Sequence, residues 1–378
     1  MDALMTTLNW QRVRLGDIAE IIGGGTPSTQ ITSFWNGSIN WFTPTEIGIT
    51  KYVYKSQRTI TPLGLKNSSA KLLPIGTILL TSRASIGDCA ILKVVATTNQ
   101  GFQSLIPLEK INNEFLYYLI LTLKNKLLKL ASGSTFLEVS PNKIKNLLIP
   151  LPPLNEQIAI VNILSALDRY LYNLDALILK KEGVKKALSF ELLSQRKRLK
   201  GFNQAWQRVR LGDIANYLTS NLGAEQITQQ GKIKVYDVNN FIGYTDTTFI
   251  SDKPYISIVK DGSVGRVRIL PPKTNILSTM GALIANHRTT TEFLFYLLSN
   301  FDFKNFTSGS IIPHIYFKDY KEKTIFLPPL NEQSAIANIL STLDNEIASL
   351  KNKKRQFENI KKALNHDLMS AKIRVLEK

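Results

Sequence analysis

Apolar residues recur at alternating steps of four and three along two long stretches of the chain, which is the spacing of a coiled-coil seam. Each stretch follows the same phrase, Leu-Pro-Pro-Leu-Asn-Glu-Gln, at residues 151–157 and 327–333. The prolines disfavour helix before the asparagine, which can cap the helix. We therefore predict one helix from the end of this phrase to about Arg198 and a second helix 176 residues later. The seam positions are Ile160, Leu164, Leu167, Leu171, Leu174, Ile178, Lys181, Lys185, Leu188 and Leu192, and then Ile336, Leu340, Leu343, Ile347, Leu350, Lys354, Phe357, Lys361, Leu364 and Leu368.

A coiled-coil seam requires a second helix, and the two helices of this chain can supply each other. We expect them to run antiparallel, because the segment between them must carry the chain from the end of the first helix to the start of the second. Lysine occupies seam positions 181, 185, 354 and 361. We expect these side chains to extend out along the seam and to set its register.

The remaining segments alternate between strand and helix signals. Short β-branched runs broken by Gly, Pro and Asn fill residues 10–110 and 206–285, and such runs are typical of strands and turns. One helix with an apolar face is predicted from Glu114 to about Leu130, and another from Glu292 to about Asn300. The predicted fold class is α+β, with mixed α/β domains at residues 1–150 and 202–326 and long helices at residues 151–201 and 327–378.

The chain contains two copies of one unit. The ten residues that start at Trp10 return without change at Trp206, an offset of 196, and Ser85-Ile-Gly matches Ser263-Val-Gly at an offset of 178. About 18 residues between Ile22 and Pro74 are therefore missing from the second copy. In this segment the copies also stop resembling each other, so we expect a shared frame and a private part in each unit.

Composition and charge favour a globular protein with a polyanionic partner. The chain has 378 residues, 44% of them hydrophobic, and a formal net charge of +18. Nucleic acid is the favoured partner, although a basic surface can also be merely solvated. The single cysteine, Cys89, excludes a disulfide framework and is expected to be a packed apolar residue. No apolar run reaches the length of a membrane span, and no signal peptide is evident, so a cytoplasmic protein is expected.

No catalytic, cofactor or metal site is indicated. The glycines at 23–25 are not followed by Gly-Lys-Ser/Thr, as a phosphate loop requires, and each Pro-Pro pair follows a leucine, unlike the Asn/Asp-Pro-Pro-aromatic motif of an amino-methyltransferase. His287, His314 and His366 are isolated and form no metal-ligand pattern. A nuclease site built from carboxylates and a lysine stays open, because its spacing is too loose to recognise.

Polar side chains in glycine-bearing loops are the candidates for DNA contact, since they can reach base edges and phosphates. A plain turn is the alternative for the loop after the triple glycine and for the two Ser-Gly-Ser loops. At the aligned turns Ser82-Arg83-Ala-Ser85 and Lys260-Asp261-Gly-Ser263 the frame is shared and the chemistry differs, as two different half-sites require. The candidates are Thr26, Ser28, Thr29, Ser82, Arg83, Ser85, Ser132, Ser134, Lys260, Asp261, Ser263, Arg266, Ser308 and Ser310.

The chain resembles the specificity subunit of bacterial type I restriction-modification systems. The resemblance is carried by Pro150-Leu-Pro-Pro-Leu-Asn-Glu-Gln157, by the Trp-x-x-Val-x-Leu-Gly-Asp-Ile openings and by the Gly-Gly-Thr-Pro-Ser loop that starts at Gly24. The second phrase, at residues 326–333, begins with Phe in place of the first Pro. The resemblance implies two target recognition domains and an antiparallel coiled coil with approximate twofold symmetry.

The resemblance further implies a non-catalytic reader of a bipartite double-stranded DNA target. Its two helices would set the length of an unread spacer between the half-sites. Two methyltransferase subunits and, in the larger complex, restriction subunits would be its partners. S-adenosylmethionine and ATP with Mg would then belong to those partners, and this chain would hold no cofactor. A coiled-coil scaffold with an incidental basic surface and a DNA enzyme with an unrecognised nuclease site remain the alternatives.

Overall fold

The computed structural model describes residues 10–133 and 137–375. By contact density the chain divides into two units: unit 1 comprises residues 1–173 and 354–378, and unit 2 comprises residues 174–353. These units follow contacts and not the sequence repeat, so the four-part division of the sequence remains a prediction. Ser134, one of the candidate DNA contacts, lies outside the described residues.

Unit 1 holds two mixed sheets and a two-stranded ribbon. One sheet has the order β2-β9-β6-β7-β4, the second has the order β5-β3-β8, and β1 pairs with β10. The pattern of hydrophobic residues explains the burial, because β6 and β7 are apolar throughout and are buried throughout. The strands are β1 (Gln11–Arg14), β2 (Ala19–Gly23), β3 (Trp35–Phe42), β4 (Tyr52–Val53), β5 (Arg58–Ile60), β6 (Ile78–Leu80), β7 (Cys89–Leu92), β8 (Ala96–Thr98), β9 (Gln103–Pro107) and β10 (Leu148–Leu151).

The helices of unit 1 pack beside these sheets. They are α1 (Pro62–Lys66), α2 (Asn113–Leu130), α3 (Pro141–Lys145), the first half of α4 (Leu154–Leu193) and the end of α7 (Leu330–Met369). The side chain of Asn112 caps α2 by accepting hydrogen bonds from the backbone N–H groups of Glu114 and Phe115. The apolar face of α2, including Phe115 and Leu119, joins the main core together with Ile78 and Leu105 from the larger sheet. Cys89 belongs to the same core, and its burial raises the pKa of its thiol.

Unit 2 repeats this topology with fewer residues. Its larger sheet has the order β12-β18-β15-β16, its smaller sheet has the order β14-β13-β17, and β11 pairs with β21. The strands are β11 (Gln207–Arg210), β12 (Ala215–Thr219), β13 (Ile233–Tyr236), β14 (Phe241–Thr245), β15 (Tyr255–Val259), β16 (Val267–Leu270), β17 (Asn275–Ile276), β18 (Met280–Ala285), β19 (Thr307–Ser308), β20 (His314–Ile315) and β21 (Thr324–Leu327). The helices are α5 (Thr291–Ser299), α6 (Phe317–Tyr320), the second half of α4 and the first part of α7 (Leu330–Met369).

The private part of each unit shares its topology although its sequence differs. In both units the central strand of the smaller sheet pairs antiparallel with one neighbour and parallel with the other, β3 with β5 and β8, and β13 with β14 and β17. Unit 1 additionally contains α1 and β4, where the described part of unit 2 has no equivalent element. The missing residues of the second copy therefore shorten connections and leave the small sheet in place.

The two long helices pair antiparallel within each unit. In unit 1 Lys361 forms an ion pair with Asp168, and the ring of Phe357 lies 4.7 Å from that of Tyr170. In unit 2 Lys181 lies 2.8 Å from Glu346, and Lys185 pairs with Asp344. In both units residue numbers rise along one helix as they fall along the other, as predicted. Three of the seam lysines thus reach carboxylates on the opposite helix.

Each long helix has 40 residues and begins at a leucine, one residue before the asparagine that was expected to cap it. The expected capping role of the asparagine is therefore wrong. The glutamine of the phrase instead ties the helix to its domain. The side chain of Gln157 accepts from the N–H of Asn112 at 2.9 Å and donates to the carbonyl of Lys110 at 3.1 Å. Gln333 makes the equivalent bonds to Thr290 and Arg288.

Candidate DNA interface

The loop after the triple glycine is held against the small sheet of unit 1. A Cβ atom on Gly24 would lie 1.9 Å from the carbonyl oxygen of Asn99, so only glycine allows this approach. Indole N–H groups hold the loop from the other side: Trp41 donates to the carbonyl of Gly25 at 2.8 Å, and Trp35 donates to that of Ser28 at 3.0 Å. These contacts hold residues 24–29, here called the platform, against the small sheet.

The polar side chains of this platform differ in exposure. Ser28 and Thr29 are exposed, whereas Thr26 is half-buried and donates its hydroxyl hydrogen bond to the side chain of Gln100. Arg58 was missed by the sequence analysis. Its guanidinium lies 3.8 Å from the ring centroid of Trp35, in cation–π geometry. Trp35 accordingly holds an exposed cation next to the loop.

The turn at residues 81–88 brings two more predicted positions together. The hydroxyl of Thr81 donates to the carbonyl of Ser85 at 2.6 Å, and Ala84 has a positive φ of 57°. Ser82 is 1% exposed and its N–H donates to the carbonyl of Gly101 at 2.8 Å. Its hydroxyl can reach DNA only if the turn moves, whereas the half-buried Ser85 stays near the surface.

The guanidinium of Arg83 pairs with Glu138, with Nη2 lying 2.8 Å from Oε2. Glu138 also exchanges backbone hydrogen bonds of 3.0 Å with Ser132. Lys143 donates to the hydroxyl of Ser132 at 3.0 Å. The structure thereby joins the turn at 82–85 and the first Ser-Gly-Ser loop, two of the places that the sequence singled out. Glu138, which joins them, carried no signal in the sequence.

Unit 2 repeats this arrangement with a carboxylate on the turn in place of the guanidinium. Asp261 lies at the position of Arg83 and pairs with the Nδ1 atom of His314 at 2.7 Å. His314 in turn faces Ser308 across the β19 and β20 ladder. Ser263, Arg266, Ser308 and Ser310 are exposed, and Lys260 is half-buried. The positional counterpart of Arg83 is therefore Asp261 and not Lys260, although Lys260 is the residue of like charge.

Comparison with known proteins shows which family the chain belongs to. The chain matches the family described as Type I restriction modification DNA specificity domain twice, over residues 7–181 and 203–359. It belongs to this family of specificity subunits. Its role is to recognise DNA sequence within a type I restriction-modification system, and the family is non-catalytic and has no cofactor of its own.

The relatives extend over nearly the whole chain. The MjaIX specificity subunit of Methanocaldococcus jannaschii is 29% identical over 98% of this chain and 94% of its own length. The EcoR124I/EcoR124II specificity subunit of Escherichia coli is 38% identical, over 41% of this chain and 40% of its own. The crystal structure of an S subunit from M. genitalium shares the fold with a TM-score of 0.60 and 20% identity, over 96% of both chains.

A chain from a solved structure on the complex assembly and conformational transition of the type I restriction-modification system also shares the fold. Its TM-score is 0.66 at 19% identity, over 96% of this chain and 97% of that chain.

In each unit of this specificity subunit a half-buried polar cluster links the sheets and their helices to the long helices. In unit 1 the hydroxyl of Tyr118 donates to Asp168, which also pairs with Lys361. In unit 2 Tyr296 donates to Asp344 at 2.9 Å, and Asp344 pairs with Lys185. Burial, followed by the hydrogen bond to the carboxylate, raises the pKa of both tyrosines well above the ordinary value.

In unit 1 the cluster also includes Glu114, which lies at the start of α2. Glu114 accepts from Lys51 at 2.9 Å and from the hydroxyl of Tyr52. Burial alone would raise the pKa of Glu114, but the hydrogen bonds from Tyr52 and Lys51 and the charge of Lys51 together lower it. The counterpart of Glu114, Glu292, is exposed.

A second repeated contact fixes the start of each long helix. In unit 1 the indole of Trp10 donates to the buried Glu156 at 3.0 Å, and the Nε atom of Arg374 lies 3.7 Å from that carboxylate. In unit 2 Trp206 donates to the buried Glu332 at 3.0 Å, and Arg198 donates to it at 2.8 and 3.3 Å. The tryptophan of each repeated opening therefore serves to anchor a helix.

Two findings concern other functional classes. Within residues 10–133 and 137–375, no group of three or more His, Cys, Asp or Glu side chains is placed to hold a metal ion. No helix in the described part of the specificity subunit is long and apolar enough to cross a membrane.

Proposed function

We propose that this specificity subunit reads a bipartite double-stranded DNA target, with one half-site for each unit and unread bases between them. The unit 1 face comprises the loop at 26–29, the turn at 82–85 and Ser132, with Arg58 added. The unit 2 face comprises Lys260, Asp261, Ser263, Arg266, Ser308 and Ser310. Ser134 belongs to the proposal on sequence grounds alone.

One observation supports this proposal above the others. Two turns at equivalent places of a duplicated frame hold pairs of different chemistry, the guanidinium of Arg83 with the carboxylate of Glu138 and the carboxylate of Asp261 with the imidazole of His314. On this turn unit 1 presents a guanidinium and unit 2 presents a carboxylate, whereas the tryptophan–glutamate contacts that anchor the long helices are the same in both units. Different charges on one frame are what two different half-sites require, because base edges present distinct donor and acceptor patterns.

We further propose two methyltransferase subunits as partners, since the contacts that anchor the long helices occur twice. Restriction subunits would complete the larger complex. S-adenosylmethionine would be bound by the methyltransferases, and ATP with Mg by the restriction subunits. The cytoplasm is the proposed location of the assembly.

Selection from a random duplex pool by the chain assembled with its methyltransferase subunits tests the proposal. Two separated blocks of preferred bases are expected. Binding to the selected duplex should fall by roughly 10³ to 10⁵ between 50 and 200 mM salt if 6 to 10 phosphates are contacted. An assembly that selects no sequence and shows a flat salt response is a scaffold. Transfer of labelled methyl groups by this chain alone would show an enzyme.

A further inference from the structure

Unit 2 carries a short hairpin at residues 307–315, here called the finger, whose tip is residues 309–313. Thr307 pairs with Ile315, and Ser308 pairs with His314, so strands β19 and β20 close the loop between them. Gly309 has a φ of 90°, and a Cβ atom there would lie 2.3 Å from the carbonyl oxygen of Ile312. Glycine is therefore required at this turn.

The tip of the finger presents apolar side chains to solvent. Ile311 is 92% exposed and Ile312 is 55% exposed, and Tyr316 just beyond the second strand is 49% exposed. Single exposed apolar residues are ordinary on a protein surface. Two adjacent exposed isoleucines with an aromatic ring beside them are instead typical of a contact surface.

The finger is attached to the turn that carries the candidate DNA contacts of unit 2. The N–H of Gly262 donates to the carbonyl of Pro313 at 2.8 Å, and the N–H of Ile315 donates to the carbonyl of Lys260 at 2.9 Å. The hydrogen bond between Asp261 and the Nδ1 atom of His314 joins the same two segments. Any duplex that contacts this turn therefore lies within reach of the tip.

Charge indicates which partner covers the tip. Two cations lie beside the finger: Lys260, whose carbonyl accepts from the N–H of Ile315, and the exposed Lys318, whose Nζ atom lies 5.4 Å from the ring centroid of Tyr316. The carboxylate on the turn, Asp261, is engaged by His314. An apolar tip within a basic rim fits a polyanion that itself exposes an apolar group. In the major groove of DNA that group is the 5-methyl of thymine.

We infer that Ile311 contacts the 5-methyl group of a thymine and so selects an A·T pair in the half-site read by unit 2. The inference rests on the proposed function and adds a contact that carries no hydrogen bond. The paired strands β19 and β20 hold the base of the finger in position before binding, which reduces the conformational entropy lost on binding. Lys260, Arg266 and Lys318 supply attraction to phosphates without distinguishing bases.

The test compares thymine with deoxyuridine, which lacks only the methyl group. The full chain with its methyltransferase subunits is bound to its selected duplex, and each thymine of the second half-site is replaced in turn. One replacement should weaken wild-type binding about fourfold, the value of one buried methyl-sized group. Ile311→Ala should bind the thymine duplex more weakly and no longer distinguish uracil at that position. Ile311→Val should keep part of the discrimination.

Ile49→Ala is the matched control, because Ile49 is an isoleucine of unit 1 that is 84% exposed. It should leave the second half-site unchanged. A second half-site without an A·T pair, or one in which no thymine can be distinguished from uracil, overturns the inference while the bipartite target stands. Loss of methyltransferase subunits from Ile311→Ala, with base preference intact, also overturns it and assigns the tip to a protein contact. Failure of the wild type to select any sequence defeats the proposed function instead.

Discussion

In unit 1 the cation lies on the turn after β6 and the carboxylate on the loop after α2, where Arg83 meets Glu138. In unit 2 the carboxylate of Asp261 lies on the turn and the ring of His314 on the loop. The helix anchors of the same two units are alike, since Trp10 with Glu156 corresponds to Trp206 with Glu332. Contacts that hold the frame are thus repeated, while contacts on the candidate DNA face have diverged.

The largest effect is expected where a repeated contact is most buried. Glu332 is 1% exposed and receives two bonds from Arg198 and one from Trp206. Glu332→Ala leaves the guanidinium without its partner, so the free energy of unfolding should fall by about 3–5 kcal/mol. Urea unfolding monitored by tryptophan fluorescence measures this loss. Glu156→Ala should cost less, because Arg374 lies 3.7 Å away and forms no hydrogen bond to Glu156. Equal losses would contradict the difference between the two anchors.

A smaller loss is expected from the tyrosines that link each domain to the long helices. Tyr118→Phe and Tyr296→Phe each remove a hydrogen bond to a carboxylate, which is worth about 1.5–3 kcal/mol. Tyr118 should lie at the upper end, because its hydroxyl also accepts from Lys51 at 2.9 Å. Thermal unfolding of the two variants under the same conditions provides the comparison. A larger loss for Tyr296→Phe would show that the extension of the unit 1 cluster adds nothing.

The diverged pairs should affect specificity more than stability. Arg83→Ala should relax one position of the first half-site by about 1–3 kcal/mol if Arg83 contacts guanine, and it should leave the second half-site unchanged. Asp261→Ala should alter the second half-site alone. Selection of targets by each variant measures both effects. Lys260→Ala is the control, because it changes the charge of the same turn and leaves the contact between Asp261 and His314 in place. Uniform weakening on all sequences would assign a residue to phosphate contact.

The smallest effect concerns pH. The pKa of Glu114 is lowered in the folded protein, although burial alone would raise it, because Tyr52 and Lys51 bind the carboxylate. Glu114 therefore contributes stability above its ordinary pKa, and this contribution is lost as the pH falls through the lower folded value. Glu114→Gln should be less stable than wild type at pH 7, with the difference vanishing in acid. Glu292→Gln, at the exposed counterpart, is the matched control for the substitution itself. Unfolding midpoints across pH 3–7 decide between these outcomes.

The periodic and repeated features of the chain were predictable because they are written locally. The two long helices follow from apolar spacing, and their pairing follows from the need of each seam for a partner. The duplication follows from the identity at Trp10 and Trp206. Three of the seam lysines form ion pairs with carboxylates of the opposite helix, as Lys361 does with Asp168. The structure of the segments that differ between the two copies was harder to predict. No shared residues there indicate that β3 and β13 are both the central strand of a smaller sheet.

The sequence alone therefore determined the repeat, the long helices and the class of DNA reader. Only the tertiary structure decided which loop residues form a surface. It buried Ser82, stacked Arg58 on Trp35, and placed Glu138 and His314 at equivalent places. Asp261 and His314 lie 53 residues apart in the chain. They meet because strand register and the packing of β19 and β20 place them together, and no local pattern of residues encodes that register.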